Sequence, residues 1–263
     1  YLALQSRKKD LELRIAEAEE GIRKHQVQLN QVKDNSAFKA LLAEIEHDKA
    51  AKDELETGVL TLLDEIDKAS GQDKALQAEV VKVQSQHLAR ITGHPILLVS
   101  DNPNLTLIMT RHQQMAGWAR RTMRQDDSVG IALKEGICLA NFATNGRYEI
   151  TRATIIIPVD YSRAKGRFLD CVVEELTQVM GLPNDSDKVF PSIFNDNSID
   201  SFPTGLDYVL LKLAYHPALH AGMTTDEVRT ALPIALKALR ANGDIAEANQ
   251  RVQNGSLRRW AGL

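Results

Sequence analysis

Residues 1–69 contain no proline and almost no aromatic side chain, and Leu, Ala, Glu, Lys and Gln dominate them. A stretch of that length and composition reads as long helix. Leu4, Leu11, Ile15, Ala18 and Ile22 recur in alternating three- and four-residue steps, and Leu41, Ile45, Leu55, Leu62 and Ile66 form a second stripe of the same kind. Between the stripes lies KDNSAF, where Asn35 and Ser36 can end one helix and cap the next. The expectation is an antiparallel coiled-coil hairpin over residues 1–70 with its tip near Asp34 to Ser36. Stripes of this kind also pair with other helices, so a homo-oligomer through residues 1–70 is a possible assembly.

A hinge is expected at Ser70, Gly71 and Gln72, then a helix through Ala89 that stops before Gly93 and Pro95. From there the pattern changes to short apolar runs rich in β-branched residues: PILLVSD from Pro95, LTLIMT from Leu105, GICLANF from Gly136 and YEITRATIIIPV from Tyr148. Asn145 and Gly146 mark a hairpin turn between the last two. Helical patterns cover Gln113–Arg124, Phe168–Met180, Gly205–Ala214 and Thr224–Ala241. In the last, Thr224 and Glu227 fit a capping box and Pro233 should kink the helix. Residues 71–241 thus read as an α+β domain with a mixed sheet, and 242–263 as a polar helical tail ending in SLRRWAGL, from which Trp260 either docks or frays.

Net charge of −3 gives no basic footprint for nucleic acid. No apolar run reaches the roughly 18 to 20 residues of a membrane span. Gly-rich phosphate loops, GxSxG elbows and CxxC pairs do not occur. Cys138 and Cys171 are either two buried thiols or one disulfide. His216 and His220 have i, i+4 spacing, but Pro217 between them disfavours a helical metal pair. Asn184, Asp185, Ser186 and Asp187, with Asn195, Asp196 and Asn197, offer oxygen donors without the spacing of a calcium loop, and such residues also dominate plain turns.

Val173 to Asp185 reads VEELTQVMGLPND, which overlays on HExxHxxGxxH position by position. The ligand positions of that zinc signature hold Glu174, Gln178 and Asn184; the acid position holds Glu175 and the turn position Gly181. One carboxylate and two neutral amides make a poor zinc site. Glu174 and Gln178 share a helix face and could hydrogen-bond each other or a bound peptide. Downstream, Ser192, Ile193 and Phe194 resemble the SxM turn of metzincins, with Phe194 in the methionine's place, and Asp207 to Tyr215 (DYVLLKLAY) resembles the helix that follows it. Together with LARITGHPI, PSIFND, TGLDYVLLKLAYHPAL and AGMTTDEV, the segment from about Lys82 to Leu239 closely resembles the domain of unknown function 2927 family, which carries EExxQ where active zincins carry HExxH.

The resemblance implies a zincin-like mixed sheet with an active-site-type helix, no metal and no cofactor. It also implies a cleft marked by Glu174, Gln178, Asn184, Asp185 and Phe194, and a Glu175 that is vestigial or turned to another use. It favours a Cys138–Cys171 disulfide and a periplasmic or secreted location, with an upstream signal segment expected before Tyr1. The function so implied is a catalytically silent, peptidase-like module that binds a protein or peptide in the cell envelope; the alternative is a hydrolase using Glu175. Residues 32–68 also resemble the coiled-coil arm of bacterial proteins that end in a four-cysteine zinc ribbon, although this chain has no cysteine before Cys138.

Overall fold

The computed structural model describes residues 2–123, 130, 133, 137–195, 197–198 and 201–263. The chain divides into two compact units, Tyr1–Ala78 and Glu79–Leu263. Asp196 of the oxygen-rich cluster, Arg124 of the expected third helix and Gly136 of the expected strand lie outside the described residues.

In the first unit, α1 (Leu2–Leu29) lies antiparallel to the first part of α2 (Asn35–Thr92). The register follows from cross-helix neighbours: Lys52 Nζ meets Glu19 at 2.9 Å, His25 Nδ1 meets Asp48 at 3.1 Å, and Gly58 faces Leu11. Ile45, Leu62 and Ile66 are buried in the seam, as the heptad spacing requires. The cap of α2 is Asp34 rather than Asn35 or Ser36: its Oδ2 accepts from Ala37 N at 2.9 Å and Ser36 Oγ at 2.7 Å. These bonds hold the Asp34 carboxyl below its ordinary pKa.

The hinge at Ser70 to Gln72 does not form. The 58 residues of α2 run through it as one helix, because one glycine costs a helix only about 1 kcal/mol relative to alanine and nothing nearby removes a backbone donor.

In the second unit, β1 (Leu105–Thr110), β2 (Leu139–Thr144) and β3 (Ile150–Pro158) form a mixed sheet of order β1-β3-β2. β3 pairs parallel with β1, Ile155 opposite Leu107, and antiparallel with β2, Ile156 opposite Leu139. The β2–β3 turn is held by Asn145, whose side-chain oxygen accepts from the backbone N–H of Arg147 and of Glu149. Ile155, Ile156 and Ile157 are all fully buried because the central strand is covered on both faces. α3 (His112–Thr122) brings Met115 and Ala119 onto the face of Ile156 and Leu139. On the other face, Ile155 and Ile157 pack with the end of α2 and with α5 (Phe168–Gln178), which a short α4 (Val159–Ala164) precedes.

Pro95–Asp101 was expected as a strand and is irregular, with Leu97, Leu98 and Val99 exposed at 78%, 63% and 57%. β-propensity reflects fit to a pleated, half-buried surface, and no described strand lies beside this run. α6 (Gly205–Ala214) and α7 (Thr225–Ala241) carry capping boxes, Thr204 with Asp207 and Thr224 with Glu227, and α7 continues through Pro233.

The C-terminal segment, expected as a polar helical tail, is helical in part and also contributes to the core. It forms α8 (Ala248–Arg251) and α9 (Leu257–Trp260), and it places Ala248, Val252 and Leu257 in the main core. Asp244, itself buried, accepts from Tyr208 Oη at 2.7 Å and pairs with Arg251 at 2.6 Å. α8 approaches α6 so closely that a Cβ on Gly205 would stand 2.2 Å from the Asn249 side chain. Trp260 remains 43% exposed.

Gln84 and His87, one helical turn apart on α2, are fully buried, and their four side-chain polar atoms have no hydrogen-bond partner among the described residues. Burial, aided by the Arg90 charge, depresses the His87 pKa to about 4. Between pH 6.5 and 4 the unfolded chain therefore takes a proton that the folded one refuses, and stability falls as pH drops. At pH 5 the loss attributable to His87 is about 2 kcal/mol. Denaturant melts at pH 7 and pH 5 check this: the difference between the two should shrink by that amount in His87→Leu.

Candidate functional site

α5 is the centre of the candidate site. Cys171, Val172, Val173 and Leu176 turn its apolar face into the core, while Asp170, Glu174 and Gln178 recur every fourth residue along another face. Cys138, just ahead of β2, is bridged to Cys171 with a Cα–Cα distance of 5.8 Å, so the edge strand of the sheet is covalently tied to α5. The helix gives way to a turn at Gly181, whose φ of +118° an L side chain rarely adopts.

Behind α5 the loop 186–195 is closed by Ser186 N donating to Phe194 O at 2.7 Å. Ser192 Oγ donates to Asp207 Oδ1 at 2.5 Å and accepts from Phe194 N at 3.0 Å. Asp207 Oδ2 accepts from Thr204 N and Ile193 N. One buried carboxylate therefore caps α6 and fixes the Ser192–Phe194 turn; burial holds its pKa above the ordinary value against these hydrogen bonds. Removing the Ser192 hydroxyl strands a buried acceptor, so Ser192→Ala should cost about 1 to 2 kcal/mol, read as a lowered urea midpoint. At the far end of α6, Tyr215 Oη donates to Met180 O at 2.8 Å, joining the C-terminal ends of the two helices.

A pocket of about 260 Å³ opens between these parts, lined by Cys138, Arg167, Asp170, Cys171, Glu174, Glu175, Ile193 and Asn195, together with Ile137, Ser198 and Ser201. Arg167 Nε pairs with Asp170 at 2.5 Å. Glu175 is only 6% exposed, and its carboxyl makes no hydrogen bond among the described residues. Burial foremost, then the charges of Glu174 and Asp185, push its pKa up to about 8. At neutral pH Glu175 is a neutral acid, able to donate as well as accept.

The residues singled out in the sequence come together only in part. Glu174 and Glu175 line the pocket, Asp185 acts on Glu175 through its charge, and the two cysteines form its wall. Gln178 donates to Asp185 Oδ1 at 3.0 Å, which brings together two of the expected cleft residues. Asn184 is exposed and does not line the pocket, and Phe194 is buried in the core, leaving its neighbour Ile193 to face the cavity. Arg167, Asp170, Ser198 and Ser201 were not anticipated. Asp170 was within reach, since it precedes Glu174 by one helical turn; the two serines come from a loop with no periodic signal.

The three positions of the zinc signature do not fit zinc, which needs converging imidazole, thiolate or carboxylate donors. One of them is an exposed amide and another an amide committed to Asp185. Among the described residues no group of three or more His, Cys, Asp or Glu could hold a metal ion. His216 and His220 bond their own turns instead: His216 Nδ1 accepts from Ala218 N, and His220 Nδ1 lies 2.9 Å from Ala221 O. The oxygen-rich loop is likewise internally bonded, Asn197 to Asp187 and Asn195 to the Val189 carbonyl.

Fold and site define a disulfide-tied mixed α/β domain with a pocket built on one amphipathic helix, in a chain that also carries a long helical hairpin. The chain belongs to the family described as "Protein of unknown function (DUF2927)", whose family model matches residues 63–234. That match begins within α2 and ends within α7. No curated protein and no solved structure matches the chain. The disulfide fits an oxidising compartment, extracellular or periplasmic, and no described helix is long and apolar enough to cross a membrane.

Proposed function

We propose that this domain is a catalytically silent, zincin-like scaffold whose pocket binds a segment of a protein or peptide in the cell envelope, with the helical hairpin serving as an arm for assembly. The observation that carries the reading is the fate of the EExxQ helix. It still forms the wall of a cleft, yet its signature positions have passed from converging ligands to a pocket-lining carboxylate, an amide bonded to Asp185 and an exposed amide. β2 supports it further: an edge strand that starts beside Cys138 offers backbone groups to an extended peptide.

Elemental analysis of untagged protein and a peptide-library digest test the reading. Substoichiometric zinc, no cleavage and measurable peptide binding are expected. Stoichiometric zinc together with chelator-sensitive cleavage would sink it.

A second reading, a hydrolase using Glu175 as general acid, is favoured by one observation: a carboxyl in a cleft with its pKa pushed up to about 8 is protonated at neutral pH and suited to proton transfer there. A measured hydrolysis that disappears in Glu175→Gln while the melting temperature does not fall would establish that reading in place of the first.

A further inference from the structure

Resting on the reading of the pocket as a peptide cleft, we propose that it takes a cationic group, the guanidinium or ammonium of a basic residue in the bound segment. Glu175 points to this most directly. Its carboxyl is more than nine-tenths buried, lines the pocket and is met by no hydrogen-bond partner among the described residues. The Glu175 carboxyl reaches the pocket without a protein partner among the described residues, and a cation suits it doubly: it brings donors, and its charge favours the ionised, acceptor-only carboxylate over the neutral acid. A guanidinium brings five N–H donors and an ammonium three.

The surrounding charges select the same sign. Asp170, Glu174 and Glu175 line the cavity, Asp185 acts on Glu175 from beside it, and Arg167, the cation among the described lining residues, is paired with Asp170. An anionic ligand would add to the charges that already disfavour ionisation of Glu175. An apolar ligand would leave Glu175 unmet. The remaining walls suit the stem of a basic side chain, since Ile137, Ile193 and the disulfide offer an apolar surface along which methylene groups can lie. A cavity of about 260 Å³ has room for one such side chain rather than for a folded partner.

The full chain with its disulfide intact can be tested on an array of octapeptides in which one central position carries each residue in turn, with citrulline and norleucine as uncharged counterparts of arginine and lysine. Arginine or lysine should bind at least about tenfold more tightly than its uncharged counterpart, the scale of a charge-assisted hydrogen bond. The preference should be lost in Glu174→Gln and Glu175→Gln proteins that melt no lower than the parent. Peptide binding without a basic preference would overturn the cationic assignment and leave the cleft reading intact. A basic preference that survives both substitutions would overturn the assignment to this pocket. No binding by any peptide would remove the cleft reading and the ligand with it.

Discussion

Glu175→Gln should make the protein more stable at neutral pH, by about 3 kcal/mol at pH 7, and leave it unchanged near pH 4. Burial, with Glu174 and Asp185 adding to it, raises the Glu175 pKa from 4.5 to about 8. Below pH 4.5 the folded and unfolded chains both carry the proton and the group is neutral in its effect. As pH rises through 4.5 the unfolded chain ionises while the folded chain keeps its proton, so native stability declines up to about pH 8. Glutamine keeps the shape and removes the titration. The gain should appear as a rise in melting temperature on the order of 8 °C at pH 7, measured by calorimetry across pH 4 to 8. A variant no more stable than the parent at pH 7 would mean that Glu175 ionises freely in the folded chain, and the pocket would then hold a charged rather than a neutral acid. His87 titrates in the opposite sense, losing stability as pH falls from 6.5, so melts of the two variants across the same range separate the contributions.

Opening the Cys138–Cys171 bridge should lower stability by roughly 3 to 4 kcal/mol, the loop-closure value for cysteines 33 residues apart. The effect belongs chiefly to the unfolded chain, which gains freedom when the link is cut. It also reaches the site, because the bridge is the covalent tie between the wall at Cys138 and the helix carrying Glu174 and Glu175. Cys138→Ala with Cys171→Ala, and the parent protein under reductant, should both melt on the order of 10 °C lower than the oxidised parent. If the pocket is held closed around Glu175 by this tie, the pH-dependent gain from Glu175→Gln should be smaller in the double-alanine background. An unchanged gain would show that α5 and the loop 186–195 bury Glu175 without the bridge.

Much of the secondary structure was legible because its causes are local. The heptad stripes of Leu4 to Ile22 and Leu41 to Ile66 specify two facing helices, the Asn145 turn specifies the β2–β3 hairpin, and Thr224 with Glu227 announces the start of α7. The Ser192–Phe194 turn and the Asp207 helix were visible as separate motifs; that one carboxylate joins them was not, since the bond spans fifteen residues. Ser70–Gly71–Gln72 looked like a hinge because glycine weakens helices, yet a single weak residue does not outweigh the turns on either side of it. Residues 242–263 looked like a tail because they are polar on average, while Val252 and Leu257, spaced too irregularly to form a stripe, were the ones the core required.

The sequence by itself determined most of the helices, three of the four expected strands and their order, since periodicity, capping and turn chemistry act over a few residues. The tertiary structure decided that Cys138 meets Cys171, that Gln178 turns to Asp185, that Leu97 to Val99 stay outside the sheet, and that Glu175 is held neutral. Those outcomes depend on which distant residues exclude water from a given atom. No local pattern encodes that exclusion.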